Sequence, residues 1–271
     1  MQKFFLILSA LVWLTACQQT PSREVRDDFQ THYQKYGVDG TFALYDAQND
    51  RYLLYNDSLF QHSFTPASTF KICNSLIALE TGVATDENFT LKWDGVERNQ
   101  VWDRDFDLKS AYQYSAVWYY QELARRIGEQ RMQDWLDRAD YGNHDMSGGI
   151  DQFWLDGGLR ISPAQQINFL QRLRDNKLPF LQRSMDIVKK VMVMTDSSDA
   201  VLRGKTGWGG QDGQDIGWFV GYVERGGQVY YFANCVQIAS SELEKVERAI
   251  QFDQSRKGIA LAILKDLQIF E

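Results

Sequence analysis

The chain has 271 residues, of which 44% are hydrophobic and 14% aromatic, and its formal net charge is −7 at pH 7. This composition is ample for a buried core, and the acidic balance, without any cluster of lysine and arginine, argues against a nucleic-acid partner. Three histidines and the absence of a Cys-x-x-Cys pair exclude a zinc site with histidines at helical spacing, so we predict chemistry without a metal.

The N-terminal residues have the features of an export signal. Lys3 carries a positive charge, and residues 4–16 form a mainly apolar stretch that is too short to span a bilayer comfortably. The ending Leu14-Thr15-Ala16-Cys17 is similar to a bacterial lipoprotein cleavage site, at which Cys17 would be lipidated; ordinary cleavage of a soluble secreted precursor is the alternative. We therefore predict a signal peptide over 1–16, a polar tether over 17–24, and a periplasmic protein whose only membrane attachment would be a lipid on Cys17.

Hydrophobic periodicity in the rest of the chain predicts strands at both ends and helices between them. A first helix is expected over 27–36, followed by a β-hairpin with strands at 40–46 and 51–56. Helical spacing then dominates, with helices predicted over 68–79, 115–127, 132–138, 163–176 and 185–194. Strands return before a closing helix at about 255–267, and they are predicted over 201–208, 215–223 and 228–238.

Strands at both ends of a helical middle indicate an α+β architecture. We predict a single domain over residues 25–271, in which two N-terminal and three C-terminal strands form a five-stranded antiparallel sheet flanked by helices. Residues 66 to about 191 would form a helical lobe beside this sheet. An active site at the junction would combine Ser68 from the lobe with Lys205 from the sheet.

The segment Ser68-Thr69-Phe70-Lys71 places a hydroxyl and an amine at i and i+3, on one face of a helix. Serine becomes a nucleophile when a base takes its proton, and lysine can be that base only when it is not an ammonium ion. Keeping a lysine neutral near pH 7 corresponds to about 4.6 kcal/mol relative to the free side chain, which desolvation in an apolar pocket can supply. A serine that merely caps the helix is the simpler alternative. Chance alone would produce about one Ser-x-x-Lys in this composition.

Two further tripeptides make a chance match improbable. Lys205-Thr206-Gly207 and Tyr141-Gly142-Asn143 each occur once, and composition alone predicts about 0.03 of each. Together with Ser68 and Lys71, the joint chance is on the order of one in a thousand. These three motifs, in this order along the chain, resemble the motif pattern of a known enzyme family.

The chain resembles a class D serine β-lactamase, the oxacillinase type, over about residues 25–265. The segment Thr65-Pro66-Ala67-Ser68-Thr69-Phe70-Lys71-Ile72-Cys73-Asn74-Ser75-Leu76 is similar to that family's first motif. The family's later motifs follow in order: Ser115-Ala116-Val117, Tyr141-Gly142-Asn143, Trp154-Leu155-Asp156-Gly157 and Lys205-Thr206-Gly207. The resemblance implies the fold shared by serine β-lactamases and penicillin-binding transpeptidases.

The resemblance also implies a mechanism, the hydrolysis of the β-lactam amide of penicillin-type antibiotics through an acyl-Ser68 intermediate. Lys71 would capture carbon dioxide to become N6-carboxylysine, and this carbamate would be the base for acylation and for activating the deacylating water. Val117 would supply part of the apolar wall around it, and Trp154 an indole N–H donor. Ser115 would relay a proton to the β-lactam nitrogen.

The substrate carboxylate would be bound at the Lys-Thr-Gly segment. Lys205 would present a positive charge and Thr206 a hydroxyl, while Gly207 would let the substrate lie close to the strand. Arg256 matches the family's carboxylate-binding arginine, because a planar guanidinium suits paired hydrogen bonds. Arg248, eight residues earlier, could be confused with it.

The oxyanion of acyl transfer would be held by the backbone N–H groups of Ser68 and Trp208. No cofactor is expected apart from the carbon dioxide or bicarbonate that Lys71 would need. Cys73 and Cys235 are expected to be buried free thiols, although a disulfide between them is the alternative.

Three other functions are compatible with parts of the pattern. A β-lactam sensor domain would form the same adduct and remain acylated, and a penicillin-binding carboxypeptidase or transpeptidase would share Ser-x-x-Lys and Lys-Thr-Gly. A non-catalytic lipoprotein would require the motifs to be vestigial. The motifs leave open whether cephalosporins or carbapenems are substrates, and whether the protein is a monomer or a homodimer.

Overall fold

The computed structural model describes residues 20–98 and 101–271, so the predicted signal peptide and Cys17 lie outside the described residues. The strands are β1 (Ser22–Val25), β2 (Asp39–Asp46), β3 (Arg51–Tyr55), β4 (Thr90–Leu91), β5 (Phe106–Asp107), β6 (Val193–Asp196), β7 (Ala200–Gln211), β8 (Gln214–Arg225) and β9 (Gln228–Ala239). The α-helices are α1 (Gln30–Tyr36), α2 (Lys71–Glu80), α3 (Leu108–Gln113), α4 (Val117–Ile127), α5 (Glu129–Ala139), α6 (Pro163–Arg174), α7 (Gln182–Val191) and α8 (Val246–Asp266). Within the ranges described, none of these helices combines the length and apolar character needed to cross a membrane.

The predicted α+β fold is confirmed, but its sheet has seven strands instead of five and is mixed instead of wholly antiparallel. The strand order is β1-β3-β2-β9-β8-β7-β6. The two extra strands lie at the edges: β1 pairs in parallel with β3, and β6 pairs antiparallel with β7. Both have four residues and are mostly exposed, so neither shows the alternation of buried and exposed residues that identifies a strand in a sequence.

Two predicted boundaries are also corrected. The predicted tether over 17–24 is wrong at its end, because residues 22–24 belong to β1. The closing helix begins at Val246, nine residues before the predicted start. The prediction missed these nine residues because Phe252 is the only buried one among them, so they show little apolar spacing.

Helix α2 is the central helix of the helical lobe, and all of its residues from Lys71 to Leu79 are buried. One core cluster joins this lobe to one face of the large sheet, and a second core cluster lies on the other face beneath α1 and α8. Strand β7 runs directly against the short 3-10 turn Ala67–Phe70 that precedes α2. The junction of lobe and sheet therefore brings the Ser68 turn to the Lys-Thr-Gly strand.

Candidate active site

Ser68 and Lys71 face each other at the start of α2. Lys71 Nζ lies 2.8 Å from Ser68 Oγ, and as an ammonium it donates a hydrogen bond to that oxygen. Lys71 is fully buried, and burial lowers the pKa of its amine to about 7. Near neutral pH a large fraction of the amine is therefore unprotonated and can accept the Ser68 proton.

The backbone before Ser68 is held in an uncommon conformation. Ala67 has φ of +46°, in the left-handed region that residues with a Cβ rarely occupy. The hydroxyl of Thr65 donates to the carbonyl of Leu155 at 3.1 Å, which ties this turn to the Trp154 loop. Strained backbone of this kind persists only where surrounding contacts determine it, and it is common at active sites.

The pocket around Lys71 is buried and has aromatic walls. The Tyr120 ring centroid lies 5.1 Å from Lys71 Nζ, and Trp154 packs against Phe70 with 5.4 Å between ring centroids. Trp154 is fully buried, and its indole Nε1–H has no hydrogen-bond partner among the described residues. Val117 is half-buried as the first residue of α4. A buried donor without an acceptor is rare in folded proteins, so this indole is ready to receive an acceptor.

Ser115 joins the same site from the loop between α3 and α4. Lys205 Nζ on β7 donates to Ser115 Oγ at 3.0 Å and to the carbonyl of Thr206 at 2.9 Å. Ser115 has φ of +57°, so it is strained like Ala67, and it is a predicted catalytic residue itself. Burial lowers the pKa of Lys205 well below its usual value, and the positive charges of Lys71 and Arg256 lower it further. A bound anion would offset these effects.

Arg256 reaches the site from α8. Its Nη1 donates to the carbonyl of Gly207 at 3.0 Å, and its guanidinium also pairs with Asp253 and lies 5.3 Å from the Trp208 ring centroid. Burial lowers the pKa of the Arg256 guanidinium to about 10. Gly217 leaves room for this side chain, since a Cβ there would lie only 2.7 Å from Arg256 Cγ.

Arg248 occupies a different place. Its guanidinium donates to the backbone carbonyls of Tyr36 and Gly37, at the C-terminal end of α1. The two arginines therefore have separate places: Arg256, the one predicted from the sequence, contacts the Lys-Thr-Gly strand, whereas Arg248 stabilises a helix end.

Glycine at position 207 allows β7 to lie against the Ser68 turn. A Cβ on Gly207 would stand 3.0 Å from the carbonyl oxygen of Pro66, and one on Gly209 would stand 3.1 Å from Ala67 Cβ. This close approach brings Trp208, between the two glycines, beside the residues that carry Ser68. The predicted pair of oxyanion donors, the N–H groups of Ser68 and Trp208, thus belongs to adjoining segments.

The Tyr141-Gly142-Asn143 segment is architectural. The Tyr141 ring is buried against Phe70, and the Asn143 side chain donates to the carbonyl of Gly158 at 3.0 Å and accepts from the N–H of Arg160 at 2.9 Å. It therefore holds the loop that carries Trp154.

Sequence reasoning missed two contributors, Tyr120 beside Lys71 and Asp253 beside Arg256. The position of Tyr120, one turn after Val117 on the same helix, was the only available signal for it. Cys73 and Cys235 are both buried free thiols, as expected. Across the described ranges, no three His, Cys, Asp or Glu side chains converge in a way that could hold a metal ion.

Comparison with known proteins finds relatives that include several β-lactamases. A family described as "Penicillin binding protein transpeptidase domain" matches residues 19–253. The chain is 43% identical to β-lactamase OXA-48 of Klebsiella pneumoniae over 82% of its own length and 84% of that protein. It is 38% identical to the regulatory protein BlaR1 of Bacillus licheniformis over 78% of its own length, but only 35% of that protein. The crystal structure of a class D β-lactamase from Sebaldella termitidis superposes with a TM-score of 0.85 and 34% identity, covering 92% of this chain and 99% of that one.

Proposed function

The chain belongs to the class D β-lactamases and is a serine β-lactamase that hydrolyses β-lactams through an acyl-serine, and we propose that Ser68 carries the acyl group and that a carboxylated Lys71 is the general base. We further propose that penicillin-type antibiotics are substrates. The observation that carries this proposal is the 2.8 Å contact between Ser68 Oγ and a buried Lys71 amine whose pKa lies near 7.

In acylation, the base at Lys71 takes the Ser68 hydroxyl proton as Oγ bonds to the β-lactam carbonyl carbon. The N–H groups of Ser68 and Trp208 would hold the resulting oxyanion, and the loss of one such donor typically costs about 2.7–4 kcal/mol. The carbon–nitrogen bond then breaks, and the leaving nitrogen takes the Ser115 hydroxyl proton. Lys205 Nζ, 3.0 Å from Ser115 Oγ, can return a proton to that oxygen.

The Trp154 indole supports carboxylation of Lys71. Addition of carbon dioxide to a neutral amine gives a carbamate and releases one proton, so it requires the lowered pKa that burial gives Lys71. The carbamate oxygens are acceptors, and the Nε1–H of Trp154, which has no partner in the part of the chain that the structure describes, is a donor enclosed in the same aromatic region. The carbamate would supply the base that activates water for hydrolysis of the acyl-Ser68 ester.

Three side chains would hold the substrate carboxylate. Lys205, Thr206 and Arg256 converge on one stretch of β7, and the pKa values of both basic groups are lowered. A bound carboxylate would favour the charged forms of Lys205 and Arg256, because a nearby negative charge raises the pKa of a basic group. This arrangement matches the anionic carboxylate common to penicillins.

The deciding experiment is penicillin hydrolysis by purified residues 18–271, first with carbon dioxide depleted and then with bicarbonate restored. Multiple turnover that increases with bicarbonate supports the carboxylated base. Lys71→Ala should acylate slowly and leave a trapped adduct on Ser68, detectable by intact mass. Normal turnover by Lys71→Ala would overturn the role given to Lys71.

The same experiment distinguishes a sensor. A β-lactam sensor domain would react with one equivalent of penicillin and stop.

Export and lipid attachment stay a proposal that rests on the sequence of residues 1–17. Expression in a bacterial host with Cys17→Ala tests it. Loss of the protein from the membrane fraction, with activity retained in the periplasm, would support lipidation at Cys17, and an unchanged distribution would contradict it.

A further inference from the structure

A groove opens beside Lys205 that the acyl-transfer steps do not use. It is enclosed by the end of α3 at Tyr112 and Gln113, the α7–β6 corner at residues 191–194, and residues 204–206 of β7, and its volume is about 250 Å³. It shares Lys205 and Thr206 with the proposed carboxylate anchor.

The groove exists because the edge strand β6 covers only part of the outer edge of β7. Strand β6 pairs with β7 only over residues 201–203, and the last contact is the N–H of Gly204 donating to the carbonyl of Met192 at 3.0 Å. Beyond Gly204 this edge of β7 has no partner from β6, and the same edge continues into Lys205 and Thr206. The hydroxyl of Tyr112 donates to the carbonyl of Gly204 at 3.1 Å and closes the inner end.

The side chains that line the groove are mainly apolar, apart from Gln113 at the end of α3 and the anchor residues Lys205 and Thr206. Val191 and Met192 are buried in its floor, while Met194 is 40% exposed although it is a large hydrophobic residue. Met194 lies close to the strand, since a Cβ on Gly204 would stand 3.3 Å from its sulfur. Among the described residues that line the groove, Lys205 has the single cationic side chain. A matching ligand therefore carries an anion with an apolar group directly beside it.

We propose that this groove is a subsite for the apolar substituent on the ring carbon next to the carboxylate-bearing carbon of the β-lactam. The proposal rests on the proposed function. In a cephalosporin the carboxylate is on C4 and the variable substituent is on the adjacent C3, so the two groups are separated by one carbon–carbon bond of the ring. Holding the carboxylate at Lys205 and Thr206 directs the C3 substituent along the unpaired edge of β7 towards Met194.

The test uses two cephalosporins with the same acyl side chain on C7, one with methyl and one with benzyl at C3. The second-order rate of Ser68 acylation is followed by intact mass for the full chain, for Met194→Asn, which removes the apolar wall, and for Met194→Trp, which fills the groove. Leu181→Asn is the matched control, because Leu181 is also exposed and apolar but lies outside the groove. The intrinsic reactivities of the two lactams cancel when the benzyl-to-methyl ratio is compared between variants.

We expect both Met194 variants to lower the benzyl-to-methyl ratio roughly tenfold, within the range that a hydrophobic pocket discriminates, and Leu181→Asn to leave it unchanged. A ratio that neither Met194 variant alters overturns the subsite. Acylation by a penicillin but by neither cephalosporin overturns it as well, while the proposed function stands. No adduct with a penicillin would instead remove the proposed function and the subsite together.

Discussion

Lys205 Nζ lies 3.0 Å from Ser115 Oγ, although the two residues are 90 positions apart in the chain. One comes from the sheet and the other from a strained turn of the helical lobe, with φ of +57°. This hydrogen bond links the proposed carboxylate anchor to the proposed proton relay. Substrate binding at Lys205 and proton transfer at Ser115 are therefore expected to be coupled.

Ser115→Ala should slow acylation by roughly 10²–10⁴-fold, the usual contribution of a positioned acid or base. The reason is that the leaving nitrogen loses its proton donor while Ser68 and Lys71 stay in place. Stopped-flow acylation with a chromogenic β-lactam measures the effect. Ser197→Ala, in the β6–β7 turn far from Ser68 in the fold, is the control, and equal rates for the two variants would remove Ser115 from the mechanism.

Lys71 makes the stability of the fold depend on pH. Its pKa is about 7 in the folded state, against about 10.4 for a free lysine, so between these values the unfolded chain binds more protons. Stability therefore rises as pH increases from about 7 to about 10, and the destabilising effect of burying Lys71 is fully present below that window. We expect Lys71→Met to be more stable at pH 7 by about 2–4 kcal/mol and to lose this advantage towards pH 10.

Urea unfolding across this pH range, in buffer depleted of carbon dioxide, measures the difference between Lys71→Met and the unchanged chain. Lys265→Met is the control, since Lys265 is exposed near the end of α8. A constant difference between Lys71→Met and the unchanged chain at every pH would show that Lys71 is protonated to the same extent in both states.

Trp154→Phe removes the indole donor but keeps an aromatic ring against Phe70. A hydrogen bond to a charged group contributes about 1.5–3 kcal/mol, so the bicarbonate concentration needed for half-maximal turnover should rise roughly tenfold to a hundredfold. Carbon-13 NMR with labelled bicarbonate measures carbamate occupancy directly. Trp135→Phe, a half-buried tryptophan stacked on Phe180, is the control, and an unaltered carbamate signal in Trp154→Phe would exclude the indole as its partner.

Arg256→Ala should raise KM for penicillins roughly tenfold to a hundredfold, because a charge-assisted pair with the substrate carboxylate is lost. Arg248→Ala is a matched control that should change Tm and not KM. Its loss removes hydrogen bonds to the carbonyls of Tyr36 and Gly37, so it should lower Tm and leave KM unchanged. Steady-state kinetics and thermal melting on both variants separate the two roles, and an unchanged KM in Arg256→Ala would contradict the anchor.

The prediction of the fold succeeded where the pattern is local and failed at the margins. Strands β7, β8 and β9 each have twelve residues; β8 and β9 are mostly buried, and the first half of β7 has buried residues at alternate positions, so their apolar pattern located them correctly. Strands β1 and β6 are short, exposed edges whose existence depends on the backbone of a neighbouring strand. Such pairing leaves no hydrophobic signature in the strand itself.

The sequence by itself determined the chemistry within one helical turn. Ser68 and Lys71 are three residues apart, so helical geometry alone brings hydroxyl and amine together. Only the tertiary structure decided what depends on packing between distant segments. It buries Lys71 and so lowers its pKa, brings Lys205 to Ser115, and places the predicted Arg256 against the Lys-Thr-Gly strand. The physical reason is that spacing along the chain sets contacts within a turn, whereas desolvation and contacts between elements depend on how whole faces pack.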